Sequence, residues 1–306
     1  MSNYQLSIIN YQLPRAISIV ENEVEGFEDL LRSLPSSPKE IPVIGITGPP
    51  GAGKSTLVDG LIDALVNKGK TVGVLCVDPS SPFNLGALLG DRVRMNNWYN
   101  HPNVFIRSLA SRGSLGGLNP KIIEITDVMK AANFDYILIE TVGVGQSEIE
   151  IAGLADVTVV VVVPEGGDEI QTMKAGLMEI ADIFVVNKSD RPDAAKFVKN
   201  LQLMLAPAFQ HKQQEIKVLS TVASEKKGMD ELLNVIDTVY THAVNNIERK
   251  CWLLAEKAYQ LISKERMKDI DRNNLYNDIQ KLCTDSSFHL YQYIEKYNHS
   301  SSNTIC

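Results

Sequence analysis

The stretch GPPGAGKST (48–56) places three glycines just ahead of a lysine and two hydroxyl residues. Gly48, Gly51 and Gly53 let the backbone curl with several N–H groups facing inward. A helix starting at Lys54 would add its positive end, and the result is a cradle for phosphate oxygens. The spacing GxxxxGK[ST], with an apolar run before it and a helical pattern after it, distinguishes a phosphate loop from an ordinary glycine-rich turn. Lys54 is expected to reach the β- and γ-phosphates and Ser55 to offer its hydroxyl to Mg²⁺. Nucleotide contacts are expected from Gly48, Pro49, Pro50, Gly51, Ala52, Gly53, Lys54, Ser55 and Thr56.

A second pattern selects the base. VVNKSD (185–190) ends an apolar run in Asn187, Lys188, Ser189 and Asp190. The Asp190 carboxylate can accept from both N1–H and the exocyclic amino group of guanine, a donor pair adenine lacks. Leaving that carboxylate unpaired is costly, so such a site rejects ATP steeply. Read alone, NKSD fits a polar turn equally well; in order after a phosphate loop it points to GTP and GDP. Asn187 would brace the loop, and the Lys188 stem would cover the base. The loop VLSTVAS (218–224) offers the Ala223 N–H, beside Val222, to the guanine O6.

Carboxylates supply the third element. FDYILIETVGVGQSEIE (134–150) runs from an apolar segment straight into Glu140. Two readings fit: the strand simply surfaces there, or Glu140 holds a metal-bound water beside the phosphates. Asp78, at the end of another apolar run, and Asp91, in GDRVRM, are further metal-shell candidates, since Mg²⁺ takes a few carboxylates plus substrate oxygens. Gly143 is placed to offer a backbone N–H to the γ-phosphate. Gln146 either orients the attacking water or is a surface switch residue. Lys54, Glu140, Gly143 and Gln146 thus form the expected catalytic set. Arg92, Arg94 and Arg112 are arginine-finger candidates only by lying in loops, so a slow intrinsic rate raised by a partner is expected.

The elements that must carry these groups follow from periodicity. Short β-branched runs near 43–47, 71–77, 104–108, 136–140, 157–163, 183–187 and 216–220 alternate with amphipathic stretches at 54–68, 121–133 and 169–180. Such alternation predicts an α/β fold with a mostly parallel sheet covered on both faces. Residues 14–34 place Ile17, Val20, Val24, Phe27 and Leu31 at helical spacing. From about Met229 the chain reads as helical. The expected organisation is an N-terminal helical extension (1–40), a P-loop domain (41–245) and a C-terminal helical segment (246–306).

Composition narrows the classes. A formal net charge of −7 argues against a nucleic-acid binder, whose affinity rests on Lys and Arg. The longest apolar run, VTVVVVVP (157–164), is too short to cross a membrane and reads as a buried strand. Four scattered cysteines form no CxxC pair, which predicts neither a zinc site nor a redox motif. The N-terminus has neither a secretory nor an acid-poor transit pattern, so a cytoplasmic protein is expected.

GPPGAGKST, VDPSSP, GDRVRM, SRGSLGGL, ETVGVGQSEIE, GGDEIQTMKAGLMEIAD and NKSD, in that order, resemble the MeaB/ArgK family of SIMIBI-class P-loop GTPases. The resemblance covers about residues 14–245. It implies a homodimeric GTPase that associates with an adenosylcobalamin-dependent acyl-CoA mutase, gates loading of its cofactor and protects it. It also implies a further switch loop at 164–182 and a C-terminal dimerisation arm. The loop STVASEKKG departs from the family in having no Ser-Ala pair at the guanine contact. The competing readings are a kinase or ATPase linked to amino-acid transport, which NKSD opposes, and a metal-insertion GTPase. Only five histidines and no His-rich tract make a metal cargo a poor fit.

Overall fold

The computed structural model describes residues 3–35, 40–78, 95–112, 118–143, 150–164, 175–209, 216–245, 247–283 and 288–298. Its centre is a seven-stranded sheet formed by β1 (Val43–Thr47), β2 (Val72–Asp78), β3 (Val104–Ala110), β4 (Tyr136–Glu140), β5 (Val157–Val162), β6 (Ile183–Val186) and β7 (Lys217–Ser220). The order is β3-β2-β4-β1-β5-β6-β7, and every neighbouring pair is parallel. All seven expected runs are strands, with ends within a residue or two. Because every strand points the same way, every loop that follows a strand lies at one end of the sheet. Glu140, Asp78, the phosphate loop and NKSD therefore share that end.

Among the described residues the α-helices are α1 (Asn3–Glu21), α2 (Phe27–Arg32), α3 (Lys54–Asn67), α4 (Ile122–Ala131), α5 (Ala175–Ile180), α6 (Ala194–Phe209), α7 (Met229–Asn245), α8 (Ile247–Arg266), α9 (Arg272–Cys283) and α10 (Leu290–Asn298). The period-two pattern of the strands divides the core into faces. Ile44 and Ile46 join Leu57, Leu61 and Leu65 of α3 and Leu232, Leu233 and Ile236 of α7. Val43, Leu75, Val77, Ile137 and Ile139 turn the other way, onto Ile17 and Val20 of α1 and Ile122 and Ile125 of α4. A third cluster joins Val160, Val162, Phe184 and Val186 to Leu201 and Leu205 of α6.

The stretch expected to run as one helical pattern over 14–34 breaks after Glu21. Glu23 and Gly26 take positive φ values of 49° and 86°, and Val24 is 49% exposed. The glycine makes the turn affordable, and Val24 falls off the buried stripe although its spacing fits it.

The chain divides into two compact units, residues 1–254 and 255–306. The N-terminal helices belong to the first. In the second, Tyr293 of α10 packs against Phe288, just before the helix, and Tyr297, with the Lys296 ammonium 3.8 Å from the Tyr293 ring centre.

Opposite the nucleotide end, Arg249 closes the first unit. Its guanidinium donates to both Asp182 oxygens at 2.8 and 2.7 Å and to the Asp156 carbonyl at 3.0 Å. Asp182 also accepts from the Thr158 N–H, and Asp156 from the Val43 N–H. The Asp182 hydrogen bonds push the Arg249 pKa further above its ordinary value. Breaking a largely buried pair strands the remaining carboxylate, so Arg249→Ala should lower unfolding free energy by about 3 kcal/mol. Urea denaturation reads this directly; a midpoint equal to wild type would contradict it.

Candidate functional site

The phosphate loop leaves β1 and enters α3 with Gly48, Gly51 and Gly53 at φ 136°, 79° and 89°. These values are closed to most side chains, which is why this loop needs glycine at those positions. Lys54 is buried, and its Nζ donates to the carbonyls of Gly48 at 2.9 Å and Pro49 at 3.1 Å. The ammonium therefore already lies across the mouth of the loop. Ser55 Oγ donates to Glu140 Oε1 at 2.7 Å. The register sets up that meeting: Glu140 is the last residue of β4, paired with Ile46 on one side and Cys76 on the other. Asp78 lies two residues beyond Cys76 on β2. Ser55, Asp78 and Glu140 are 5%, 3% and 3% exposed.

Gly143, at φ 83°, closes the site from the β4 side. A methyl group there would run into the Gly48 carbonyl and the Lys54 ammonium. Nearby, Thr47 and Thr141 share a hydroxyl hydrogen bond of 2.9 Å that ties the ends of β1 and β4 together. Gly143→Ala should therefore displace Lys54 and cut GTP affinity at least about tenfold. The forced φ adds a stability loss of about 1–3 kcal/mol. Nucleotide titration together with thermal unfolding measures both, and wild-type affinity would mean that the loop tolerates the methyl.

The NKSD end of the site is organised by Asn187. Its Nδ2 donates to the Ala52 carbonyl at 2.9 Å, and its Oδ1 accepts from Thr221 Oγ1 at 3.2 Å and the Ala223 N–H at 3.1 Å. One amide thus bolts together the phosphate loop, the end of β6 and the loop after β7. Gly53 must lack a side chain because Asn187 Nδ2 occupies that space. Lys188, at φ 56°, sends its ammonium to the Gly51 carbonyl at 2.8 Å. Ser189 N–H and Oγ both donate to the Thr221 carbonyl at 3.0 Å. A pocket of about 200 Å³ opens between these elements, lined by Gly53, Thr56, Asn187, Lys188, Asp190, Arg191, Ala223 and Ser224.

The Ala223 N–H, expected to face the base, is engaged by Asn187; Ala223 nevertheless lines the pocket, next to Val222. Pro49, Pro50 and Ala52 lie within the loop as expected. Asp91, Arg92, Arg94 and Gln146 lie outside the described residues, as does most of the 164–182 segment. At the far side of the GQSE stretch, Glu150 is described, and burial raises its carboxyl pKa. Sequence reasoning missed Thr221, Gly53 as the seat of Asn187, and the Thr47–Thr141 link. Nothing in a local pattern encodes contacts between residues 34 to 135 positions apart.

This arrangement can hold a phosphate chain against backbone amides and one ammonium, place three hard oxygen donors beside it, and present a carboxylate to a base. The comparisons agree with it. The family profile described as methylmalonyl Co-A mutase-associated GTPase MeaB matches residues 13–277. A putative GTPase of Pyrococcus abyssi is 49% identical over 228 residues, covering 72% of this chain and 69% of that one. A fused isobutyryl-CoA mutase of Geobacillus kaustophilus is 35% identical over 272 residues, covering 83% of this chain and 25% of that one. The crystal structure of a LAO/AO transport system kinase superposes with a TM-score of 0.66 at 23% identity, covering 97% of this chain and 98% of that one. That likeness establishes the P-loop fold. The chain therefore belongs to the MeaB family of methylmalonyl-CoA mutase-associated GTPases and is itself a P-loop GTPase.

Proposed function

We propose that this GTPase is the nucleotide-gated chaperone of an adenosylcobalamin-dependent acyl-CoA mutase, controlling cofactor loading and protecting the mutase from inactivation. The observation that carries this reading is the 35% identity to a segment of a fused isobutyryl-CoA mutase. A homologous module built into a mutase chain supports the view that the separate module serves a mutase as well.

The geometry supports a role for each site residue. The backbone amides of residues 48–56 and the Lys54 ammonium bind the β- and γ-phosphates and stabilise charge on the transferred phosphoryl group. Asp190 reads guanine, with Asn187 holding the walls of its pocket. Ser55 Oγ, Asp78 and Glu140 are buried oxygen donors at the phosphate end of the sheet, and they would supply the hard ligands Mg²⁺ prefers when it is shared with nucleotide oxygens. When bound, Mg²⁺ neutralises charge on the phosphate oxygens. Ser55, whose Oγ donates to Glu140 at 2.7 Å, would hold the ion directly, and Glu140 would hold it through water. Gly143 turns its N–H toward the γ-phosphate.

We also propose a cytoplasmic homodimer built through the C-terminal helices. Exposed apolar side chains there, among them Tyr259, Ile262, Tyr276, Tyr291 and Ile294, and free thiols at Cys251 and Cys283 support it. No helix among the described residues is long and apolar enough to cross a membrane.

The test is reconstitution with purified methylmalonyl-type and isobutyryl-type mutases. The cognate mutase should raise the GTP hydrolysis rate at least about tenfold, as a partner completing a phosphoryl-transfer site does. A non-hydrolysable GTP analogue should change the rate of adenosylcobalamin loading. Basal hydrolysis and loading unaltered with both mutases would sink the chaperone reading.

A further inference from the structure

The N-terminal turn meets the sheet through a cluster of charges that the nucleotide site does not use. The Glu21 carboxylate, whose side chain is 10% exposed, accepts from Arg107 Nη2 at 2.9 Å and stands 3.5 Å from Arg112 Nη2. Arg107 also donates to Ser18 Oγ at 3.2 Å, and Arg112 to Asn22 Oδ1 at 2.8 Å. At the other end of the 111–121 connection, the Lys121 ammonium pairs with Glu23 and Glu124 and lies 4.7 Å from the Phe27 ring centre. One N-terminal turn thus grips both ends of the segment joining β3 to α4.

That segment starts against Asp78. The register pairs Asp78 with Ala110, and the Ser111 N–H donates to the Asp78 carbonyl at 3.0 Å. Asn119 Nδ2 donates to the Ala110 carbonyl at 2.7 Å. Arg112, which follows Ser111, has φ 49°, a left-handed conformation uncommon for a non-glycine residue and favoured where its surroundings hold it. Glu21 and Asn22 supply that hold through its guanidinium. The chain of contacts therefore runs from the Glu21 carboxylate to Arg112, through the Ser111 amide, to the end of β2.

We propose that Glu21 is a positioning residue for GTP hydrolysis, acting through Arg112 and Ser111 to fix Asp78 at the phosphate end of the sheet. The proposal rests on the metal-shell reading of Asp78. Base and phosphate-loop contacts are untouched by this brace, whereas charge stabilisation in the transition state depends on where Asp78 sits. Loosening Glu21 should therefore lower kcat without weakening nucleotide binding.

The experiment compares Glu21→Gln, Arg112→Gln, Asp78→Asn and the double variant Glu21→Gln with Asp78→Asn, measuring GTP kcat and KM, GDP Kd and thermal midpoint. Glu21→Gln and Arg112→Gln should each lower kcat about five- to tenfold, with KM and GDP Kd within about twofold of wild type, since misplacing a charged group slightly costs rate rather than affinity. The double variant should be no slower than Asp78→Asn alone, a non-additivity that a merely structural role would not produce. Arg112 is 36% exposed at its side chain, so its substitution tests the brace even if Glu21→Gln does not fold. An unchanged kcat in Arg112→Gln, or losses that multiply in the double variant, would overturn the proposal while leaving the role of Asp78 intact. Full activity in Asp78→Asn would instead remove the role of Asp78 itself, and the brace with it.

Discussion

Asp190→Asn is expected to exchange guanine for xanthine. In the proposed role the carboxylate accepts two hydrogen bonds from guanine, and bonds to a charged acceptor contribute about 1.5–3 kcal/mol each. The asparagine amide keeps one acceptor but turns a donor toward the guanine amino group, so GDP affinity should fall about 10³-fold. Xanthine carries an oxygen in place of that amino group and accepts from the new donor, so XDP should bind far more tightly to the variant than to the wild type. The pocket between Gly53, Thr56, Lys188, Asp190 and Ala223 is otherwise unchanged, and Asn187 still joins its walls. Competition among GDP, XDP and ADP on both proteins measures the switch. Wild-type GDP affinity in the variant, or ADP binding as well as GDP to the unmodified chain, would show that the base lies elsewhere and revive an ATP-linked reading.

Glu140→Gln is expected to separate catalysis from binding. Glutamine keeps the shape of the side chain and can still accept from Ser55 Oγ, but it no longer carries charge to the end of β4. Removing a group that organises transition-state charge costs about 10²–10³ in rate. GDP affinity, which rests on the loop amides and Asp190, should change by no more than about threefold. The thermal midpoint of the nucleotide-free protein should stay close to wild type, because glutamine keeps the shape of this buried side chain and its hydrogen bond to Ser55. Single-turnover hydrolysis, GDP titration and thermal unfolding together distinguish the outcomes. A variant that binds poorly yet hydrolyses normally would make Glu140 merely the place where the strand surfaces.

The two variants bear on different ends of one site, and their separation reflects the fold. Asp190 follows β6 and Glu140 ends β4, with β1 and β5 between those two strands. What couples them is the phosphate loop: Ser55 meets Glu140, while Ala52 and Gly53 meet Asn187. Any shift of the loop would therefore be felt at both places.

Much of this was legible in the sequence because the sheet is parallel and buried on both faces. Strands in that setting must be continuous apolar runs, and VTVVVVV at 157–163 can be little else. The end of each run then marks where functional side chains surface, which is why Asp78, Glu140 and Asn187 stand out. GPPGAGKST and NKSD specify chemistry locally, through positive φ, backbone amides and one carboxylate. Val24 shows the limit of spacing as a guide: it sits on the helical stripe by number, but Gly26 and Glu23 end the helix first.

The sequence by itself determined the strands, the glycine-rich phosphate loop and the family, since each is written in residues close together along the chain. Tertiary structure alone decided that Asn187 bolts three loops together, that Gly143 must leave room for Lys54, that Arg112 is held by Glu21 rather than free to reach a nucleotide, and that Arg249 locks the far end of the sheet. These are pairings between residues distant along the chain, fixed only when strand order brings their ends together. A local pattern records what a side chain can do, and the packed sheet determines which partner it meets.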